Sequence, residues 1–134
     1  MQTLTIAGSV TPGNWSPVSV AASLPVGGIV VADHVAAAGA SKVEVDLAAL
    51  SDKDDIEFVL IVADSYPETT PGTPDLVYHV HADTETGIPL SMFHMYTQGM
   101  LYALDTAGLV MDKVFVSNAS AGDVNLHIYI GYTP

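Results

Sequence analysis

In the stretch DLVYHVHADTETG, residues 75–87, two histidines stand one residue apart and a glutamate follows four positions after the second. On an extended chain, alternate residues project from one face roughly 7 Å apart, close enough to share one ion. His79 and His81 are therefore candidate metal ligands, and Glu85 is placed to reach back toward them. A third strong ligand is missing from the pattern. His127 lies in GDVNLHIYIG, where it alternates with Leu126 and Ile128 and is expected on the outer face of its strand. The expectation is that His79 and His81 are polar-face residues of a sheet, with no metal and no other cofactor.

Other reactive groupings are weaker. The chain has no cysteine, which removes thiol catalysis, thiolate zinc sites and disulfides. No glycine-rich phosphate loop or nucleophile elbow is present. SDKDDIE, residues 51–57, gathers carboxylates but lacks the glycine and closing glutamate of a calcium loop, and reads as a solvated turn. His34 and His94 flank apolar segments and are expected to be hydrogen-bonded packing residues. Trp15 stands in a proline-flanked setting, where an anchor in a neighbour's groove is favoured over a sugar platform. An enzyme is not expected.

The elements that would carry these residues are strands. KVEVDL alternates Val43, Val45 and Leu47 with Lys42, Glu44 and Asp46, the pattern of a half-buried strand. IEFVLIVA, 56–63, is a continuous β-branched and aromatic run, which predicts a central strand covered on both faces. LVYHVH, 76–81, places Leu76, Tyr78 and Val80 opposite Val77, His79 and His81. VMDKVFVSN, the turn signal NASAGD and VNLHIYIG predict a closing hairpin with Val124, Leu126, Ile128 and Ile130 facing the core. Further strands are expected at 2–7, 28–33 and 88–95. HVAAAGA and QGMLYALDTAG could each hold a helical turn or a short helix. The whole predicts one all-β domain over 1–134: an antiparallel β-sandwich of about eight strands, jelly-roll-like or immunoglobulin-like.

Two segments stand apart. Residues 7–28 carry three prolines, four glycines and the only tryptophan, and are expected to form an extended N-terminal arm. Its apolar members Trp15, Val18, Val20, Leu24 and Val26 are candidate interface residues. Residues 64–75, DSYPETTPGTPD, hold three prolines and three carboxylates and read as a stiff exposed loop.

Composition limits the partners. Apolar residues make up 49% of the chain and charged residues only 13%, against about 25% in an average soluble protein. A surface so poor in charge suits a subunit of an assembly. Fifteen acidic residues face three lysines and no arginine, for a net charge of -12, which disfavours nucleic acid and anionic membranes alike. The preference for aspartate with scarce lysine fits a saline habitat. The N-terminus MQTLTIAGSV lacks the features of a signal peptide, so synthesis in the cytoplasm is expected.

Two families share features with these residues. His-x-His-x-x-x-Glu over 79–85 is similar to the first metal motif of the cupins, whose second motif has no match around His127. The proline- and glycine-rich arm, the strand IEFVLIVADSY and the segment VFVSNASAGDVNLHIYIGYTP together resemble the head decoration (cement) proteins of tailed bacterial and archaeal viruses. That resemblance implies a structural virion protein on the capsid exterior, commonly a homotrimer, whose partners are the major capsid protein and copies of itself. The alternatives are a ligand- or carbohydrate-binding β module of a tail, fibre or surface protein, and a cupin-like metal-binding protein.

Overall fold

The computed structural model describes residues 2–10, 13, 18–47 and 56–133. Among them are ten strands: β1 Gln2–Val10, β2 Val18–Val26, β3 Gly28–Ala36, β4 Val43–Asp46, β5 Ile56–Ala63, β6 Leu76–Val80, β7 Ile88–Pro89, β8 His94–Thr97, β9 Lys113–Asn118 and β10 Val124–Tyr132. One helix, α1 Gln98–Thr106, interrupts them and buries Leu101. It occupies the segment QGMLYALDTAG; HVAAAGA, by contrast, continues β3 to Ala36 and then turns at Gly39, whose φ of 72° favours glycine.

The pairing is nested. β6 pairs with β7, β5 with β8, β4 with β9 and β3 with β10, all antiparallel. Such a set is one long hairpin folded at β6–β7, and two further pairings, β10 with β5 and β9 with β6, roll it shut. The result is two four-stranded sheets, β3-β10-β5-β8 and β4-β9-β6-β7. This is a jelly roll, with successive strands mostly crossing between sheets; the immunoglobulin alternative has a different strand order.

Alternation in each strand fills the space between the sheets. Val124, Leu126, Ile128 and Ile130 of β10 are buried as expected, and they meet Val59 and Ile61 of β5 and Val114, Val116, Tyr78 and Val80 from the facing sheet. Each such side chain contributes about 1.5–3 kcal/mol of burial. β5 occupies 56–63 and lies inside its sheet between β10 and β8.

The closing hairpin is a correction. β9 and β10 are consecutive but lie in different sheets, so 119–123 is an arch over the edge of the sandwich and not a hairpin turn. Asn118 makes the arch possible. Fully buried, its amide nitrogen donates to Ala36 O and Gly122 O, each at 2.9 Å, while its Oδ1 accepts from Ser120 N and Ser120 Oγ. A side chain thus satisfies backbone groups that a hairpin ladder would have paired.

The N-terminal arm is an extended, paired element outside the two sheets. β1 and β2 pair over their full length, from Gln2↔Val26 to Val10↔Val18, as a separate two-stranded ribbon. Both strands of such a ribbon are edges, so Pro25, opposite Thr3, is tolerated where an interior strand would exclude it. Trp15, Pro12, Pro17 and the carboxylates of 52–55 lie outside the described residues. The loop 64–75 is exposed along most of its length, but Asp75 is buried and accepts from Thr69 N and Thr69 Oγ1 at 2.8 and 2.6 Å.

Candidate functional site

His79, His81 and Glu85 do not converge. His79 points outward from β6, since Tyr78 and Val80 take the inward positions, and its Nδ1 meets the backbone carbonyl of Glu85 at 2.7 Å, not the carboxylate. His81 lies one residue past the end of β6 with φ at 73°, a left-handed turn that breaks the alternation assumed for an extended chain. Its Nδ1 contacts Asp112 Oδ1 at 3.0 Å. The shared face predicted for the two histidines is therefore corrected. Among the described residues no three His, Cys, Asp or Glu side chains are grouped as metal ligands. The cupin reading thereby loses its geometric basis, because an outward His79 cannot address the interior of the roll.

The other histidines divide. His127 lies on the outer face, as predicted, with Nδ1 at 2.6 Å from Asp33 Oδ1. His94 joins a cluster that sequence reasoning missed: Tyr78 Oη lies 2.7 Å from His94 Nδ1 and is also hydrogen-bonded to Tyr96 Oη. Tyr78 comes from one sheet and both partners from β8 of the other, so this network crosses the sandwich. Burial lowers the His94 pKa and raises those of both tyrosines, favouring the neutral form of all three. A neutral His94 can accept at Nδ1 from Tyr78, which can in turn accept from Tyr96. This is an inter-sheet clasp, with Tyr78 and Tyr96 buried and His94 partly buried. His34 differs from expectation, for its Nε2 is buried with no hydrogen-bond partner among the described residues, and burial lowers its pKa.

The surface with the clearest capacity to bind is the outer face of the β3-β10-β5-β8 sheet. With the even-numbered β10 residues inward, Gly131, Tyr129 and His127 face out, and the register aligns them with Ile29, Val31 and Asp33 on one side and Phe58, Leu60 and Val62 on the other. Only the third of these rows carries charge. The first two form an apolar groove of about 410 Å³ with Val62, lined by Ile29, Phe58, Leu60, Val62 and Tyr129. Val31 stands beside it, 46% exposed. Gly131 shapes its floor: a Cβ there would collide with the ring of Phe58, which lies against the glycine and is fully buried.

The opposite outer face is different in kind. There Glu44, Phe115 and His79 form one row and Asp46 pairs with Lys113, whose Nζ lies 3.9 Å from Glu44 Oε1. An antiparallel sandwich ordinarily turns polar residues outward on both faces, so the apolar face is the anomaly. Its signal was present in IEFVLIVA. One side of that run lines the core and the other the groove, and no residue of the strand is exposed.

Four interface candidates of the arm lie in β2. In the register of β1 with β2, Val18 stands opposite Val10, Val20 opposite Gly8, Leu24 opposite Leu4 and Val26 opposite Gln2. Val26, at the ribbon's base, is fully buried within its own chain and has no surface to offer a partner. Compared with protein-family models, curated proteins and solved structures, the chain matches none.

Proposed function

We propose that the chain is a structural subunit of a protein shell, a capsid decoration protein that binds the outside of a virion and stabilises it, in association with the major capsid protein and with copies of itself. The observation that carries this reading is the presence of an apolar outer sheet face, beside a β-ribbon without charged residues, on one small domain. Surfaces of that kind suit permanent contact with other protein, where apolar area is covered in the assembled state. The jelly roll is compatible, being common among viral capsid domains, but lectins and cupins use it too, so the fold by itself carries no function.

The acidic body adds a constraint on mode. A net charge of -12 opposes approach to polyanions and to other copies of itself. Attachment is then carried by apolar and backbone contacts, which rising salt preserves. The test is immunogold electron microscopy of particles purified from the source cells, using antibody raised against the purified chain. Gold at regular positions on intact particle surfaces is expected. Label confined to the free protein fraction, with bare particles, would overturn the reading.

A further inference from the structure

We propose that the free edge of β3 is a contact between two copies of this chain, which pair antiparallel about a twofold axis at Ala32 and join their β3-β10-β5-β8 sheets into one. The pairing does not rest on the shell reading, since copies joined this way need not sit on a capsid. Failure of one therefore leaves the other standing.

β3 stands apart from the other edges of the two sheets. A sheet edge presents unpaired N–H and C=O groups that will pair with another chain, and proteins blunt it with short strands, charge or proline. Three of the four edges are blunted in this way. β4 has four residues and carries Glu44 and Asp46, β7 has two and ends at Pro89, and β8 has four and runs directly into α1. β3 has nine residues, GIVVADHVA, with neither lysine nor proline, and among the described residues it pairs only with β10. It is also apolar on both faces. Of the nine large apolar residues exposed among those described, Ile29, Val30, Val31 and Val35 all lie on this one strand.

The ladder identifies the occupant. Asp64 N donates to Asn125 O at 3.0 Å, so the odd-numbered residues of β10 bond to β5. The even-numbered ones then bond to Val30, Ala32, His34 and Ala36, and Ile29, Val31, Asp33 and Val35 turn their N–H and C=O groups to the open side. An antiparallel partner must offer the same alternation along an equally apolar strand. A second β3 does so in the register that sets Ile29 opposite Val35 and Val31 opposite Asp33 of the other copy, where all four residues exchange both backbone bonds. The axis then falls at Ala32, a non-hydrogen-bonded pair, where strands approach most closely and a small side chain fits. Charge agrees with this register. Asp33 is the strand's one acidic residue, and its carboxylate lies 2.6 Å from His127 Nδ1; it faces a valine, whereas a slip of two residues would set it against its own copy. The contact is isologous, so it closes at two copies and leaves no β3 edge open.

The test uses the full chain near 1 M salt, where a Debye length of about 3 Å suppresses the repulsion between copies of charge -12. Light scattering at tens of micromolar, an order-of-magnitude concentration suited to modest affinity, is expected to give the mass of an even number of chains. Val31→Pro removes an N–H that the β10 ladder does not use, a change an edge strand tolerates, and is expected to halve that mass. A wild-type mass of one chain or of an odd number, or an unchanged mass in Val31→Pro, would overturn the pairing; a single chain would leave the edge to an extended segment of another protein. Should Val31→Pro fail to fold, the natural absence of cysteine gives a second route. Ile29→Cys and Val35→Cys are made as separate single variants. Either one alone would hold its two thiols about 20 Å apart in the dimer, six residues along the strand, and is expected to stay uncrosslinked on mild oxidation. Mixed and left to exchange, the two are expected to give covalent dimers, because positions 29 and 35 then face each other with Cα atoms about 5.5 Å apart, within disulfide reach. No crosslink in the mixture, or as much in either variant alone, would refute the proposal.

Discussion

Gly131→Ala is the most economical probe of the outer face. The added methyl would lie 2.5 Å from Phe58 Cδ1 and 2.8 Å from Phe58 Cζ, and nearer still to Cε1. Carbon atoms in contact prefer about 3.5–4.0 Å, so the ring would have to retreat by more than an ångström. Phe58 borders the groove but is fully buried, so its retreat disturbs the side chains packed on it. Overpacking of this kind costs about 1–3 kcal/mol, which lowers the thermal midpoint of a domain of this size by roughly 3–10 °C. Calorimetry on wild type, Gly131→Ala, Phe58→Leu and the double variant reads the effect directly. The double variant is expected to lose less than the sum of the singles, since the smaller side chain vacates the space the methyl needs. A Gly131→Ala midpoint within about a degree of wild type, or strict additivity in the cycle, would show that the ring does not lie on the glycine.

Three further outcomes are expected. Tyr78→Phe removes the hydroxyl shared by His94 and Tyr96, taking a hydrogen-bond partner from the buried Tyr96 and the partly buried His94, at a cost of about 1–3 kcal/mol in denaturant unfolding; a neutral result would dissolve the inter-sheet clasp. Leu126→Ala should cost about 2–5 kcal/mol, given a side chain only 1% exposed at the centre of the core, and a barely shifted denaturant midpoint would contradict the facing of β10. Burial lowers the pKa of His34 and His94, so the unfolded chain binds their protons first: the stability they contribute is complete above about pH 6.5 and declines as pH falls through it. Measured near 1 M salt, where a Debye length of about 3 Å suppresses the general repulsion of the acidic body, the thermal midpoint should fall from about pH 7.5 to about pH 5, and a flat or rising midpoint would refute the assignment.

What the sequence made legible is decided by the range over which each signal acts. Alternation of period two tells a residue which side of its own strand is apolar, so Val124, Leu126, Ile128 and Ile130 could be placed inward from the sequence alone, and they are buried. The same alternation is silent about which strands pair. In a jelly roll both sheets face one core, so β9 and β10 present identical patterns whether they form a hairpin or an arch, and the decisive residue, Asn118, looked like ordinary turn punctuation. The metal candidates failed for a related reason. A shared face for His79 and His81 assumes one extended conformation through both, and the positive φ at His81, a single backbone choice, separates them. The ribbon shows a limit of the opposite sort. Proline argues against interior strands only because an interior strand must donate on both sides, and in 7–28 that rule was applied to a segment with no interior. Once the segment is a ribbon, every strand in it is an edge, and Pro25 can stand opposite Thr3 without leaving a ladder bond unmade on an interior side.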